Sequence, residues 1–172
     1  MARNAEEVAG KAGKGESVCK TSKFLTFSLD NETYGLEVLK VKEIVGIVDI
    51  TAVPNAPPYV KGVMNLRGRI IPVVDLRLKF GFPEKEYSGR TCIIVVESEQ
   101  AKGKALTGLV VDAVAEVTNI SDGDVEKTPD FGEGFESDLV MGLAKARGTV
   151  VIMLDIGRVL AAGGLVQLGG TA

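Results

Sequence analysis

The apolar positions of the chain fall in short runs that suit β-strands better than helices. Two of these runs, Val63–Leu66 and Ile70–Val74, are separated by Arg67-Gly68-Arg69 and end at Asp75. Short runs rich in β-branched residues with a glycine between them predict two buried strands joined by a tight turn. Asp75 stands where a helix N-cap would, so one helical turn is expected at Leu76–Phe80.

The chain contains this unit twice. Residues 35–47 align with residues 108–120 after a shift of 73 positions. The hairpin block at residues 62–75 aligns with residues 142–155 after a shift of 80. The matched pairs include Gly35 with Gly108, Glu43 with Glu116, Gly62 with Gly142, Arg67 with Arg147 and Asp75 with Asp155. Because the two blocks recur in the same order, we interpret them as an internal duplication that forms two similar subdomains.

Many short strands with one-turn helices between them predict small barrels. We therefore expect an all-β fold with short helices, built from two SH3-like barrels at roughly residues 23–83 and 90–160. Barrels of about 70 residues are marginally stable alone, so the two should share an apolar seam. Residues 1–22 are predicted to be a disordered arm and residues 161–172 a flexible Gly-rich tail.

Two local patterns carry further expectations. The apolar spacing of Leu39, Val41, Ile44 and Val45 suits a short helical turn better than a strand. Pro72 stands within a predicted strand and cannot donate a backbone hydrogen bond, which predicts an edge strand or a bulge. An edge at this point would offer a docking surface.

Composition narrows the function classes. The chain has 20 basic and 23 acidic residues, a net charge of −3, no His and two Cys. This balance argues against a nucleic-acid footprint, which needs a basic stripe. The lack of His removes most zinc sites, Cys–His catalysis and Ser triads. The carboxylates Asp75, Asp112 and Asp155 are explained as caps or turn residues, so no catalytic residue, metal site or cofactor is expected and the chain is interpreted as a non-enzyme.

Targeting features are also lacking. Residues 1–22 contain no apolar core of a signal peptide, and no apolar run approaches the ~20 residues that cross a bilayer. We expect a cytoplasmic protein without direct membrane insertion.

Three stretches carry a family resemblance. They are YGLEVLKVKEI at 34–44, VPNAPPYVKGVMNLRGRIIPVVDLR at 53–77 and GLVVDAVAEV at 108–117. From about residue 23 to 160 the chain resembles the CheW family, the coupling proteins of bacterial chemotaxis. The resemblance implies two five-stranded barrels in a non-catalytic adaptor of two-component signalling. Such an adaptor joins the cytoplasmic signalling tip of a chemoreceptor, a methyl-accepting chemotaxis protein, to the regulatory domain of the CheA histidine kinase.

That kinase domain shares the fold, so the resemblance alone also fits a kinase fragment. The start and length of the chain favour a free-standing adaptor.

The resemblance also implies receptor-binding positions. The matching residues are Val41, Glu43, Gly62 and Arg67, with Val110 a looser match. Val41 fits a core position and a partner contact equally well. Gly62 fits a backbone requirement more readily than a contact, because glycine permits positive φ and close backbone approach.

Arg67 has two readings that do not exclude each other. An Arg at a hairpin tip is a typical interface anchor. Its duplicate Arg147 matches it just as Glu116 matches Glu43, which suggests an intramolecular Glu43–Arg67 ion pair mirrored by Glu116–Arg147. Such a pair would hold this part of the surface in a binding-competent pose.

Two other function classes stay open. One is a nucleic-acid-binding barrel, which the acidic balance and the few aromatic residues disfavour. The other is a small-molecule enzyme with its site at the seam between the barrels.

Overall fold

The structure is a computed structural model that describes residues 21–100, 103–126 and 139–161. The predicted N-terminal arm and Gly-rich tail lie outside these residues, apart from Thr21, Ser22 and Ala161, which belong to regular elements.

Strands and short helices make up most of the described chain. In order, these are β1 Thr21–Leu29, β2 Glu32–Glu37, β3 Val41–Gly46, β4 Val60–Leu66, β5 Arg69–Asp75, α1 Leu76–Lys79, β6 Cys92–Gln100, β7 Gly103–Val111, β8 Ala113–Ser121, β9 Val125–Glu126, β10 Val140–Ala146, β11 Thr149–Leu154 and α2 Ile156–Ala161. Short 3-10 turns at Val38–Lys40 and Asp122–Asp124 connect strands.

The strands form two sheets. One has five strands in the order β3-β6-β7-β5-β4, and the other has six in the order β8-β1-β2-β11-β10-β9. Side chains from all five strands of the first sheet meet in one core, so this sheet closes around its own interior. Phe24, Ile120, Ala144, Val151 and Met153 form the corresponding core of the second. We call them the five-stranded and six-stranded barrels. The predicted all-β, two-barrel fold is confirmed, but the two-residue strand β9 gives the second barrel six strands where five were expected.

The two sequence copies exchange hairpins. The first copy supplies β1–β5 and α1, and the second supplies β6–β11 and α2. The β1–β2 hairpin nevertheless lies in the six-stranded barrel, whereas β6–β7 lies in the five-stranded barrel. A parallel strand pair joins each exchanged hairpin to its barrel. Strand β7 pairs with β5, with Gly108 opposite Val73, and β2 pairs with β11, with Gly35 opposite Met153. The barrels therefore do not coincide with the segments 23–83 and 90–160 expected from the repeat.

A single large core lies between the barrels. It draws buried side chains from both sheets and from both helices, including Leu25, Phe27, Tyr34, Leu109 and Phe80. The Tyr34 ring stacks on Phe27 at 5.9 Å between centroids and lies 6.0 Å from Phe80. The shared apolar seam predicted from the size of the subdomains is confirmed.

The helical turn predicted at residues 39–45 is wrong. Only Val38–Lys40 is helical, and Val41–Gly46 is strand β3, paired with β6. Along β3 the half-buried residues are Val41, Glu43 and Val45, while Ile44 faces solvent. Because Glu43 occupies an inward position and Ile44 an outward one, the apolar residues of β3 do not alternate and their spacing resembles that of a helix.

The prediction from Pro72 is also wrong, because β5 lies inside its sheet between β7 and β4. The β5–β7 register begins at Val73, and the shift in the β4–β5 register lies between Val60 and Gly62. Pro72 has no partner on β7, so its missing N–H leaves that ladder intact.

Candidate partner-binding site

The β4–β5 turn presents Arg67 at the end of the five-stranded barrel. Arg67 and Gly68 both have positive φ, 53° and 84°, as a two-residue type I′ turn requires. The Asn65 side chain accepts a hydrogen bond of 2.9 Å from the Gly68 N–H. Positive φ is uncommon for a residue with a side chain, but the hairpin turn requires it at Arg67. The turn therefore fixes the backbone of Arg67 in one conformation at the tip.

Arg67 is paired with Glu43 on β3. Its Nη1 and Nη2 donate to the two carboxylate oxygens of Glu43 at 2.5 and 2.6 Å. The Arg67 side chain is 74% exposed and the Glu43 side chain 23%. The pair joins the hairpin tip to β3, an edge strand of the same sheet. An exposed pair contributes only ~0–1 kcal/mol to folding, so its main effect is to orient the two side chains.

The other barrel carries the matching pair. The turn at Arg147-Gly148 repeats the positive φ values, 53° and 77°, and Arg147 Nη1 lies 3.0 and 2.9 Å from the two Glu116 oxygens. Here a single guanidinium nitrogen makes the contact, whereas Arg67 uses two.

The structure brings Val41 close to this pair but not onto its surface. Val41 lies two residues before Glu43 on β3 and packs, half-buried, against the central core. Lys42, between them, forms an ion pair of 3.3 Å with Glu97 on β6. Val41 is thus mainly a packing residue with a partly accessible side.

Gly62 has a backbone role. It is buried, with φ of 140°, and a Cβ atom placed there would lie 2.0 Å from the Thr51 carbonyl oxygen. Thr51 and Val63 exchange backbone hydrogen bonds of 2.8 and 2.9 Å across this contact. Gly62 therefore lets the segment before β4 lie directly against the strand, and any effect on partner binding would act through this approach.

Val110 lies apart from the others. It is 3% exposed on β7 and belongs to the core of the five-stranded barrel. Of the five predicted receptor-binding residues, the structure gathers Val41, Glu43 and Arg67 at one end of the barrel and buries Gly62 and Val110.

Exposed apolar residues beside the ion pair were missed from the sequence. Leu39 is 87% exposed and Ile70 is 67% exposed, and Ile44, next to Glu43, faces solvent. Ile47, Val48 and Val53 continue this exposed set along the segment before β4. The alternation along β3 carried the signal for Ile44, but the helical interpretation concealed it. Exposed apolar side chains around an oriented charge are typical of a protein-binding surface.

The most buried charges are structural. Asp75 caps α1 by accepting a 2.9 Å hydrogen bond from the Arg77 N–H, as predicted, and burial raises the pKa of its carboxyl. The buried Arg77 guanidinium bridges Asp112 at 2.8 Å and Asp30 at 3.3 Å, and it donates to the Pro83 carbonyl. Arg77 of α1 thus binds the turn between β1 and β2, which holds Asp30, and the residue after β7, Asp112.

In the described residues, no group of three or more His, Cys, Asp or Glu side chains could hold a metal ion. None of the described helices combines the length and the apolar character needed to cross a membrane.

The fold and this surface define a class: a duplicated two-barrel β protein that presents an apolar and charged face suited to protein partners. Comparison with known proteins gives the family. The CheW-like domain family matches residues 23–163. The chemotaxis protein CheW of Klebsiella aerogenes is 36% identical over 146 residues, covering 85% of this chain and 84% of that protein. CheW of Thermotoga maritima is 32% identical over 144 residues, covering 82% and 89%.

The crystal structure of the scaffolding protein TtCheW from Thermoanaerobacter tengcongensis is similar in fold. Its TM-score is 0.72 at 36% identity, and the match covers 87% of this chain and 99% of that one. The chain belongs to the CheW family of chemotaxis proteins, and the family resemblance of the sequence is confirmed.

Proposed function

We propose that this chain is a non-catalytic scaffold that couples the signalling tips of chemoreceptors to the regulatory domain of the CheA histidine kinase. Membership of the CheW family across residues 23–163 supports the proposal, as does the similarity to TtCheW, which is described as a scaffolding protein. The scaffold would act in the cytoplasm and reach the membrane only through its receptor partners.

We assign the receptor contact to the end of the five-stranded barrel. The observation that carries this assignment is the set of exposed apolar residues around the bidentate Arg67–Glu43 pair. Its most exposed member, Leu39, is replaced by Asp112 in the second copy, so the full set is not repeated there. A receptor tip is a helical hairpin, and an apolar stripe on a helix packs into such a surface while charges at its rim set orientation. Val41 and Glu43 would shape the surface, and Gly62 and Val110 would support it from within.

The test is calorimetric titration of the chain with two separate partners, a receptor signalling-tip fragment and a CheA regulatory domain. We expect binding to both. Arg67→Glu should weaken receptor binding by about tenfold or more, as an interface Arg typically does, and should leave kinase binding unchanged. Arg147→Glu is the matched control in the other barrel and should bind the receptor tip like the wild type. Binding to neither partner would overturn the proposal, and equal losses in the two variants would overturn the location.

A charge exchange separates the two roles of Arg67. In the variant Glu43→Arg/Arg67→Glu the pair can re-form with opposite polarity. If the pair acts by orienting the surface, receptor affinity should recover relative to Arg67→Glu alone. If Arg67 itself touches the receptor, the exchange should remain as weak as the single variant.

A further inference from the structure

The six-stranded barrel has a cavity at the end where the β10–β11 turn lies. Its volume is about 160 Å³ and it opens beside the Glu116–Arg147 pair. The cavity is lined by Thr26, Thr33, Ala115, Glu116, Thr118, Ala146, Arg147, Thr149 and Val151. An apolar cavity of about 150 Å³ is large enough for a benzene-sized molecule, so this space suits a ligand of roughly six non-hydrogen atoms.

The five-stranded barrel fills the same space with its own side chains. The repeat aligns Ala146 with Leu66, Thr33 with Leu106 and Thr118 with Val45. Strand pairing aligns Thr26 with Val95, because Thr26 lies opposite Gly35 and Val95 opposite the equivalent Gly108. The four aliphatic residues all pack in or against the core of the five-stranded barrel. The cavity thus arises from four substitutions toward smaller or more polar residues.

The lining of the cavity has unused donors. The Thr26 hydroxyl is occupied, since it donates to the Glu116 carbonyl at 2.8 Å and accepts from the Glu116 N–H at 3.2 Å. The Thr33 and Thr149 hydroxyls make no side-chain hydrogen bond to any other described residue, and Arg147 bonds Glu116 through Nη1 alone. The remaining N–H groups of Arg147 and the two free hydroxyls can all donate, which suits a ligand with acceptor oxygens such as a carboxylate.

A guanidinium can hold a second carboxylate while it holds the first. Arg77 does so in this molecule, where Nη1 contacts Asp112 and Nη2 contacts Asp30. Arg147 is 76% exposed, so its remaining N–H groups can reach an incoming carboxylate without displacing Glu116. Ala115, Ala146 and Val151 in the lining offer an apolar surface for a short hydrocarbon chain.

We propose that this cavity binds a small aliphatic carboxylate, with the carboxylate on Arg147 and the free Thr hydroxyls and the chain inside the barrel. The site belongs to the six-stranded barrel.

The test uses the whole chain with ¹³C-labelled methyl groups, titrated with butyrate and followed by NMR. Butyramide has nearly the same shape without the negative charge, and n-butylamine carries a positive charge on a similar chain, so both serve as comparison probes. We expect saturable shifts at the methyl groups of Ala146, Val151, Thr33 and Thr118 with butyrate alone. Arg147→Gln should weaken binding about two- to fivefold, as expected for an exposed charge contact, and Arg67→Gln should not change it.

Filling the cavity should abolish binding. Ala146→Leu copies the residue of the other barrel, and Thr33→Leu does the same from β2, so one variant remains if the other fails to fold. Unchanged methyl shifts in the five-stranded barrel show that the variant is folded. The absence of saturable shifts with butyrate, equal shifts with butyramide, or binding that survives in a folded Leu variant would each overturn the proposal.

Discussion

The two barrel ends carry the same turn and the same pair of charges, but they differ in what surrounds them. Arg67–Glu43 and Arg147–Glu116 lie at equivalent positions, and the exposed Ile44 and Ile70 have exposed equivalents in Val117 and Val150. The difference lies beneath and beside the pair. The five-stranded barrel is packed with aliphatic side chains, whereas the six-stranded barrel has a cavity beside its pair.

The position four residues before the paired Glu differs as well. Leu39, the most exposed of these apolar residues, is matched in the second copy by Asp112, which Arg77 binds. The duplication thus retained residues that the backbone and the turn require and changed those that we propose to meet a partner or a ligand. Any functional difference between the two ends should therefore follow from their surroundings rather than from the pair itself.

The largest effect on stability is expected at the equivalent glycines Gly62 and Gly142, whose surroundings differ. Gly62→Ala would place Cβ 2.0 Å from a backbone oxygen at a φ of 140°, while Gly142→Ala would meet the Val125 side chain at 2.7 Å and a backbone oxygen only at 3.0 Å. Backbone atoms yield less than a side chain, so we expect Gly62→Ala to lower the free energy of unfolding by about 3 kcal/mol or more and Gly142→Ala by about 1–2 kcal/mol. Urea unfolding measures both, and equal losses would contradict the assigned backbone role of Gly62.

An intermediate effect is expected at Tyr34, whose equivalent in the other copy is Thr107. Burial, with the nearby charges of Glu32 and Asp30, raises the pKa of Tyr34 to about 12 from an ordinary 10. The folded state therefore favours the protonated phenol. Its contribution to stability is complete below pH 10 and is lost as the pH rises through 12, by about 2–3 kcal/mol.

Tyr34→Phe keeps the ring in the seam and removes this titration. Urea midpoints measured between pH 9 and 12 should fall more steeply for the wild type than for Tyr34→Phe. Parallel declines in the two proteins would show that the phenol does not carry this dependence.

The smallest effect is expected from the ion pairs. Double-mutant cycles to Ala should give coupling free energies of ~0–1 kcal/mol for each pair, larger for Glu43–Arg67 because both guanidinium nitrogens take part. Both couplings should shrink with added salt. A larger coupling for Glu116–Arg147 would reverse the ranking that the geometry predicts.

Much of the fold could be predicted because the determining residues are local. The turn at Arg67-Gly68, the cap at Asp75 and the duplication all follow from short patterns that backbone geometry requires. The equivalence of charges in the two copies also predicted which side chains would meet, and the structure brings Glu43 and Arg67 into contact.

The exchange of hairpins could not be predicted. Gly35 and Gly108 are equivalent, as are Val73 and Met153, so pairing within a copy and pairing between copies present the same residues to each other. A repeated sequence cannot distinguish these arrangements. Strand β3 was misassigned for a related reason, because Glu43 takes an inward position that only its long-range partner Arg67 makes favourable.

The exchanged hairpins also set the order in which a chain emerging from the ribosome can fold. The five-stranded barrel uses residues 41–111 and can form once β7 is available, whereas the β1–β2 hairpin gains its neighbour β8 only at Ser121 and its other neighbour β11 only at Leu154. At typical rates of synthesis the intervening 43 residues take about 2–9 s. During that interval the β1–β2 hairpin can pair with β8 on one side only, and β2 still lacks its neighbour. Among the described strands, β11 completes the barrel that β1 began.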